Sequence, residues 1–452
     1  MTQKAQATSA TESAVGFEHW SDPVPQAQRL CGLLAQHPGQ WIPVGAAAAA
    51  GALAPGRAMR HLDGLVRADI LESDGADRYR FLAPRPVVDP DSKAVDRVLS
   101  WYLHGTREAS MAMGVDSWRG QLPDPAWGVQ VPEFTTFTQG RQWLHANSDA
   151  LVEAVRTAAA TGREQVAWQL AAGLLGAQST WHDYQPWAEC TRLGREAAER
   201  CDDQVGLALM LESEGKALMQ AGQVAEAMAV LELALTMRRQ SGDRPGTVRS
   251  VNAIGLAHRH ADRLNLAIER FRETIDLAGQ GGDEYYLTVG QLNLGAALAR
   301  SGDPAQGEGY LRAALGDLGG QHRPLLEAEA WAELGMALRD LAALDEAEDA
   351  GQRAVDLAAE TGAQVFLAEC LVRHAAVQAA NDHSTWAITA LREAASINHA
   401  HGRTRRHAEI LDLAADLYRT QGMHLSADSA CQAAADLRGH ISAKPSPAPS
   451  AG

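Results

Sequence analysis

The sequence predicts an all-α fold: a right-handed superhelical solenoid of stacked helix pairs, carrying a small mixed domain near its amino-terminal end. Three observations predict it. Aromatics make up 5% of the 452 residues and alanine is abundant, which favours helices over sheets. Small residues recur forty apart in several parallel series between residues 215 and 434. Apolar residues between those series fall at helical spacing, so each forty-residue unit reads as two helices and a turn.

Residues 1–22 are small and polar, and a disordered end is expected there. Residues 23–90 have a compact signature. "PVPQAQRLCGLLAQHPG" is an amphipathic helix stopped at Pro38-Gly39, and "VGAAAAAGALA" is a short second helix. "PGRAMRHLDGLVRADI" opens with Pro55 at a helix start and places Met59, Leu62, Leu65 and Val66 at helical spacing. "ILESDGADRYRFLA" reads as two strands around a turn at Asp74-Gly75. Helix, helix, helix, hairpin is the order of a winged helix. Residues 91–202 predict irregular helices: "SKAVDRVLSWYLHGTREASMAM", then "FTQGRQWLHANSDALVEAVRTAAATG" and "EQVAWQLAAGLLGAQ", with a Pro-rich loop "GQLPDPAWGVQVPEF" between the first two. "YQPWAECTRLGREAAERC" follows as the second helix of a degenerate pair.

Residues 203–438 form the repeat array, six pairs of period forty. Gly215, Gly255, Gly295 and Gly335 are forty apart and continue as Ala375 and Ala415. Ala227, Ala267, Gly307, Ala347, Ala387 and Ala427 form a second series, and Ala234, Thr274, Ala314, Ala354, Ala394 and Ala434 a third. Small side chains at fixed slots imply helices whose backbones approach closely. Gly242, Gly282, Gly362 and Gly402 mark the ends of second helices; His322 alone breaks that series. No single pair buries its own apolar face, so the pairs must stack. Residues 439–452 alternate Pro with small residues and read as a flexible tail.

The totals exclude several functions. A formal charge of −16 argues against wholesale binding to nucleic acid or an anionic membrane. No apolar run reaches the length of a membrane span, and the amino terminus has no apolar signal core. The five cysteines are scattered and form no CxxC pair, so neither a zinc site nor a disulfide framework is expected; reduced core thiols in the cytoplasm are. Four lysines against thirty-six arginines, with abundant Ala and Gly, suggest the GC-rich coding of an actinobacterium.

The recurring slots resemble those of the tetratricopeptide repeat: Gly295, Gly307 and Ala314 at its small positions, with Leu294, Leu298 and Leu311 at its large apolar ones. The period is forty rather than the usual thirty-four, and the helix-ending Pro is absent. "HLDGLVRADILESDGADRYRF", "LSWYLHGTREA" and "RQWLHANSDALVEAVRTAAATGREQVAWQLAAGL" are similar to successive parts of the Streptomyces antibiotic regulatory protein family, where they follow a nucleotide-binding ATPase module. That resemblance covers about residues 24–440. Three departures stand out. No GxxxxGK[ST] phosphate loop occurs. "YRFLAPRP" puts Leu82 and Ala83 where relatives carry a nucleotide-sensing His-Asp pair. The family's amino-terminal DNA-binding and activating domain is also missing. What the resemblance implies is a sensing and partner-binding portion freed from its ATPase switch.

In similar repeats, fixed positions on the first helices line a concave face and hold a peptide or helix. Here those positions give Glu212, Lys216, Arg249, Asn252, Arg259, His260, Asn293, Arg300, Arg339 and Arg373. Arginine grips carboxylates and asparagine suits a peptide backbone. The bland alternative is that these side chains solvate the groove or pair with one another. The small domain offers candidate DNA contacts at Arg57, Arg60, His61, Arg67 and Arg78; seven Arg against five Asp or Glu over residues 23–85 leave a net +2. In the resembled ATPases this domain is a structural spacer, so DNA contact is the less favoured reading. "NHAHGRTRRH" and "HRH" set histidines two apart, which face different sides of a helix, and the His182-Asp183 neighbours in "WHDY" fit a turn. No catalytic residue, metal or cofactor is expected. The expected function is non-enzymatic binding of a protein or peptide in regulation of specialised (antibiotic) metabolism. A scaffold holding a precursor peptide or enzyme in natural-product biosynthesis, and a direct DNA-binding regulator, remain alternatives; a homo-oligomer is left open.

Overall fold

The computed structural model describes residues 25–114, 120–177 and 184–443, which leaves His182, Asp183, the expected flexible amino-terminal end and residues 444–452 outside the described residues; residues 439–443 of the expected tail are instead helical. The small domain comprises α1 (Pro25–Leu34), β1 (Ile42–Pro43), α2 (Val44–Gly51), α3 (Pro55–Arg67), β2 (Leu71–Ser73) and β3 (Arg78–Phe81). The strands form one antiparallel sheet in the order β1-β3-β2, with Ile42 opposite Tyr79 and Glu72 opposite Arg80. The two expected strands are present; the third, β1, is two residues long and carries no sequence period. Asp74 shapes the hairpin turn by accepting from the amides of Ala76 (2.8 Å) and Arg78 (3.1 Å).

Five helices follow: α4 (Ser92–Ala112), α5 (Phe137–Ala146), α6 (Ser148–Ala160), α7 (Glu164–Ala177) and α8 (Tyr184–Arg200). Trp101 of α4 packs where a Cβ on Gly45 would sit, 2.6 Å away, and Arg97 donates to the Ala49 carbonyl at 2.8 Å. One apolar core therefore runs from Ala27 to Met210, through the expected boundary at residue 90. Trp101 and Trp168 are buried in it and Trp143 packs against it.

The array is six pairs: α9 (Gln204–Gln220) with α10 (Val224–Ser241), α11 (Arg244–His260) with α12 (Leu264–Gly281), α13 (Glu284–Arg300) with α14 (Pro304–Leu318), α15 (Pro324–Asp340) with α16 (Leu344–Thr361), α17 (Gln364–Ala380) with α18 (Ser384–Ala400), and α19 (Thr404–Thr420) with α20 (His424–Ala443). The glycine series does what its spacing implies. A Cβ at Gly215 would lie 2.6 Å from Leu231, at Gly255 2.5 Å from Phe271, and at Gly295 2.8 Å from the Gly307 carbonyl. Ala227, Ala267, Ala347, Ala387 and Ala427 are fully buried opposite them. Beyond Met210 the core breaks into smaller clusters between neighbouring pairs, as stacking without a central core requires.

Gly242, Gly282 and Gly362 end second helices in the left-handed region, with φ of 71°, 66° and 65°. The broken slot at His322 behaves differently. Helix α14 stops at Leu318, fifteen residues long against eighteen for α10, α12 and α16, and residues 319–323 run on as a loop. Cys31, Cys190 and Cys370 are buried thiols, whereas Cys201 is exposed and Cys431 half-buried. Among the described residues no helix is long and apolar enough to cross a membrane.

Candidate functional site

Four of the five successive pairs of first helices are tied to each other by polar side chains, the step from α13 to α15 being the exception among the described residues. Glu212 on α9 is 2% exposed, and its Oε2 accepts from Arg249 Nη2 on α11 (2.9 Å) and from Arg238 Nη1 on α10 (2.8 Å). Its Oε1 accepts from Lys216 Nζ at 2.9 Å. Asn293 Nδ2 on α13 donates to Asn252 Oδ1 on α11 at 3.0 Å, both side chains buried. Arg373 on α17 lies 3.2 Å from Glu333 on α15, and Arg406 Nη2 on α19 donates to Glu369 Oε2 on α17 at 2.6 Å. Each link joins residues 37 to 41 apart, close to one repeat. The spacing follows from the fold: neighbouring first helices lie side by side, and an offset of one turn shifts the partner by three or four residues.

Burial alone would raise the Glu212 carboxyl, but Arg249, Lys216 and Arg238 around it hold it well below the usual carboxylate range. Arg238 Nη1 also donates to the Gly246 carbonyl (2.9 Å) and Ser250 Oγ (2.7 Å). The cluster backs a cavity of about 270 Å³ lined by Val205, Leu209, Arg238, Pro245, Arg249 and Tyr286, among others. The cavity opens at the amino-terminal ends of α9, α11 and α13, and Gly120 from the loop between α4 and α5 forms part of its wall. Asp243 and Asp283 also border it, each capping its helix by accepting from the amides of Gly246 (2.9 Å) and Tyr286 (3.1 Å). Burial pushes the Tyr286 phenol well above its ordinary range, so it stays a neutral donor.

Five of the ten groove candidates, Glu212, Lys216, Arg249, Asn252 and Asn293, thus bind one another, and a sixth, Arg373, binds Glu333. The other four sit at the opposite, carboxy-terminal ends of the first helices. Arg259 is half-buried and its Nη1 has no hydrogen-bond partner; His260 is exposed. Arg300 is exposed, 3.7 Å from Asp262, and Arg339 pairs with its neighbour Asp340 at 2.5 Å. The inner face therefore has a rim of arginines, two of them beside carboxylates, at one edge and a cavity at the other, about 15 Å apart along a ten-residue stretch of helix. Sequence spacing missed Arg238, because it reaches in from a second helix, and Tyr286, because an aromatic at a helix start reads as core.

On the small domain, Arg57, Arg60 and Arg67 are exposed along one side of α3, and Arg57 donates to Gln26 Oε1 at 3.1 Å. His61 is half-buried. Arg78 is engaged by Asp74 (2.6 Å) and the Ala146 carbonyl (3.1 Å). Arg80 pairs with Glu72 and lies over the Trp41 ring. No group of three or more metal-ligating side chains occurs among the described residues.

No family model matches the chain, and no curated protein matches it. Solved structures do. The crystal structure of aspartyl phosphate phosphatase F from Bacillus subtilis is similar with a TM-score of 0.50 at 11% identity, over 80% of this chain and 98% of that one. A Rap protein complexed with competence and sporulation factor gives a TM-score of 0.49 at 13% identity, over 77% and 99%. A signal transduction ATPase with numerous domains and a tetratricopeptide repeat sensor, from Pyrococcus horikoshii, gives 0.44 at 12% identity, over 93% and 63%. At such identities the likeness is one of fold: this chain is an all-helical repeat superhelix of the tetratricopeptide type.

Proposed function

We propose that the chain is a non-enzymatic binding protein that takes a carboxylate-bearing peptide or protein segment across the inner face of repeats 1–4. The observation that carries this reading is the cavity of about 270 Å³ backed by Arg238 and Arg249 and walled by apolar Val205, Leu209 and Pro245. An apolar side chain fits such a wall, while a guanidinium and a neutral phenol orient a carboxylate or a backbone carbonyl. Arg259, Arg300 and Arg339 on the far rim supply a second point of attachment for an extended segment. The setting implied by the family resemblance is regulation of specialised (antibiotic) metabolism in the cytoplasm, acting through protein contact.

The test is selection of a displayed library of random peptides on the purified full chain, followed by solution titration of the enriched sequences. Val205 is about half exposed on the cavity rim, so Val205→Arg blocks the cavity without disturbing the core. The variant is expected to lose about ten-fold or more in affinity. Equal binding by wild type and variant would overturn the cavity reading. A second reading, direct DNA binding, rests on the exposed line Arg57, Arg60 and Arg67 on α3. It requires duplex binding that weakens steeply with salt and with Arg57→Ala plus Arg60→Ala.

A further inference from the structure

The rear half of the array rests on earlier parts of the chain at three places, about one repeat apart. These are His322, Gly362 and Arg405, at or beside the turns that lead into the first helices of repeats 4, 5 and 6. Arg323 Nη1 donates to the Gly114 carbonyl at 3.0 Å, and a Cβ on Gly114 would lie 3.0 Å from the His322 carbonyl. A Cβ on Gly362 would lie 2.7 Å from Arg141 Nη2 of α5. A Cβ on Gly222, in the turn between α9 and α10, would lie 2.8 Å from Arg405 Nη1 of α19. Gly222 has a φ of 79°, where a side chain is disfavoured, and its bare backbone leaves room for the guanidinium.

The third contact joins the last repeat to the first. Neighbouring pairs in a solenoid are related by one small rotation, and repeating that rotation brings the array round to its own edge. Here the return occurs within six repeats, and the three contacts mark one seam between successive turns of the superhelix. The burial of Asn252, Asn293 and Glu333 on the inner face fits such tight winding. Two stretches of the inner face's edge lie away from these contacts. One is at the amino-terminal ends of α9, α11 and α13, where the 270 Å³ cavity opens. The other is at the carboxy-terminal ends of α11, α13 and α15, which carry Arg259, Arg300 and Arg339.

We propose that the superhelix is closed along this seam, so that the inner face is a bore with two mouths and admits only a polypeptide segment with a free end. The proposal rests on the binding reading above and narrows its partner to a chain terminus. An internal loop of a folded protein would have to enter sideways, through the seam. A terminus enters at one mouth, and the path of about 15 Å between cavity and arginine rim is spanned by four or five extended residues.

Two measurements on the full chain test it. Gln223 and Arg405 are exposed on the two sides of the seam. In the ligand-free chain, Gln223→Cys and Arg405→Cys are placed in a background with Cys201→Ser and Cys431→Ser, which removes the accessible thiols. A short bifunctional maleimide is expected to bridge the pair within one molecule about ten-fold faster than in the same chain unfolded in urea. Equal or slower bridging overturns the seam, whatever the chain binds. The second measurement uses the bridged protein, whose ring cannot open, and a peptide selected as above. The peptide is presented free, with a folded domain on either one end, or with a folded domain on both. The free peptide and at least one singly flanked form are expected to bind as they do to unbridged protein, and the doubly flanked form to associate about 100-fold more slowly or not at all. Equal rates for the free and doubly flanked peptides, or failure of both singly flanked forms, overturn the threading. A chain that selects no peptide sinks the binding reading and the threading with it, and bridging then decides the seam alone.

Discussion

The two halves of the array are built from one period but by different chemistry. In repeats 1–3 the first helices open on Asp203, Asp243 and Asp283, each accepting a backbone amide of its own helix at 2.9 to 3.1 Å. In repeats 4–6 the same slot holds Arg323, Ala363 and Arg403, and no side chain caps the helix. The front half buries Glu212 with Arg238 and Arg249; the rear half packs alanine on alanine, with Ala354, Ala358, Ala368, Ala387 and Ala394 fully buried. Its cross-repeat pairs, Glu333 with Arg373 and Glu369 with Arg406, remain partly in solvent. A buried charge cluster adds little net stability over an apolar substitute. Its presence in the front half, beside the cavity, is the difference on which the proposed binding role of that half rests.

The largest expected effect breaks that difference directly. Glu212→Ala strands two buried guanidinium groups and should lower unfolding stability by about 3–5 kcal/mol, while Glu333→Ala in the rear, with Arg373 still reaching water, should cost no more than about 1 kcal/mol. Urea unfolding followed by circular dichroism separates the two.

Acid gives the next contrast. His37 is buried, with Gly39 N–H donating to its Nδ1 (3.1 Å) and Tyr102 OH 2.8 Å from its Nε2, and burial lowers its pKa to about 3. Below about pH 6.5 the unfolded chain takes up a proton that the folded domain refuses, so stability present at neutral pH falls by about 1.4 kcal/mol per pH unit as pH drops toward the folded value. Burial lowers His374 in the rear half of the array as well, so the small domain and the rear each carry an acid-sensitive histidine. His37→Gln should flatten the pH dependence of exchange in α2 and α4 and leave that of α17 unchanged. If the slope persists in the variant, another group controls it.

A smaller contrast lies in the glycine slots. A Cβ at Gly295 meets the Gly307 carbonyl at 2.8 Å, whereas at Gly335 it meets the Ala347 carbonyl at 3.1 Å. Gly295→Ala should cost about 1–3 kcal/mol and Gly335→Ala less, with the order read from thermal midpoints. The smallest effect is at the caps: Asp283→Ala should cost about 1 kcal/mol. A cost near zero would mean that water replaces the cap without loss.

Much of this fold was legible because backbone approach leaves a residue-level trace: Gly215, Gly255 and Gly295 had to be small, and their spacing gave the six pairs. The groove was legible only in outline. First-helix slots located Glu212, Asn252 and Asn293 on the inner face, but a slot says nothing of what the side chain meets. Whether Asn293 holds a ligand or Asn252 is a three-dimensional question, and the structure pairs it with Asn252. Arg238 and Tyr286 lay outside the slots altogether. His322 was visible as an irregularity, yet no local pattern announced that its carbonyl would lie 3.0 Å from where a Cβ on Gly114 would sit.

The loop at residues 319–323 also has a mechanical consequence. Pairs that touch only their neighbours act as springs in series, so compliance adds along the array and deformation gathers at the softest joint. Five joints separate six pairs, and this one has the shortened α14, which ends at Gly319 and Gly320, the latter with φ of 83°, and so leaves residues 321–323 as extra loop. Here the apolar cluster of Leu311, Ala314 and Leu318 with Ala330 and Leu334 bridges the joint, so a twist applied at either end passes through it, and the rod keeps its continuity where its sequence period is interrupted.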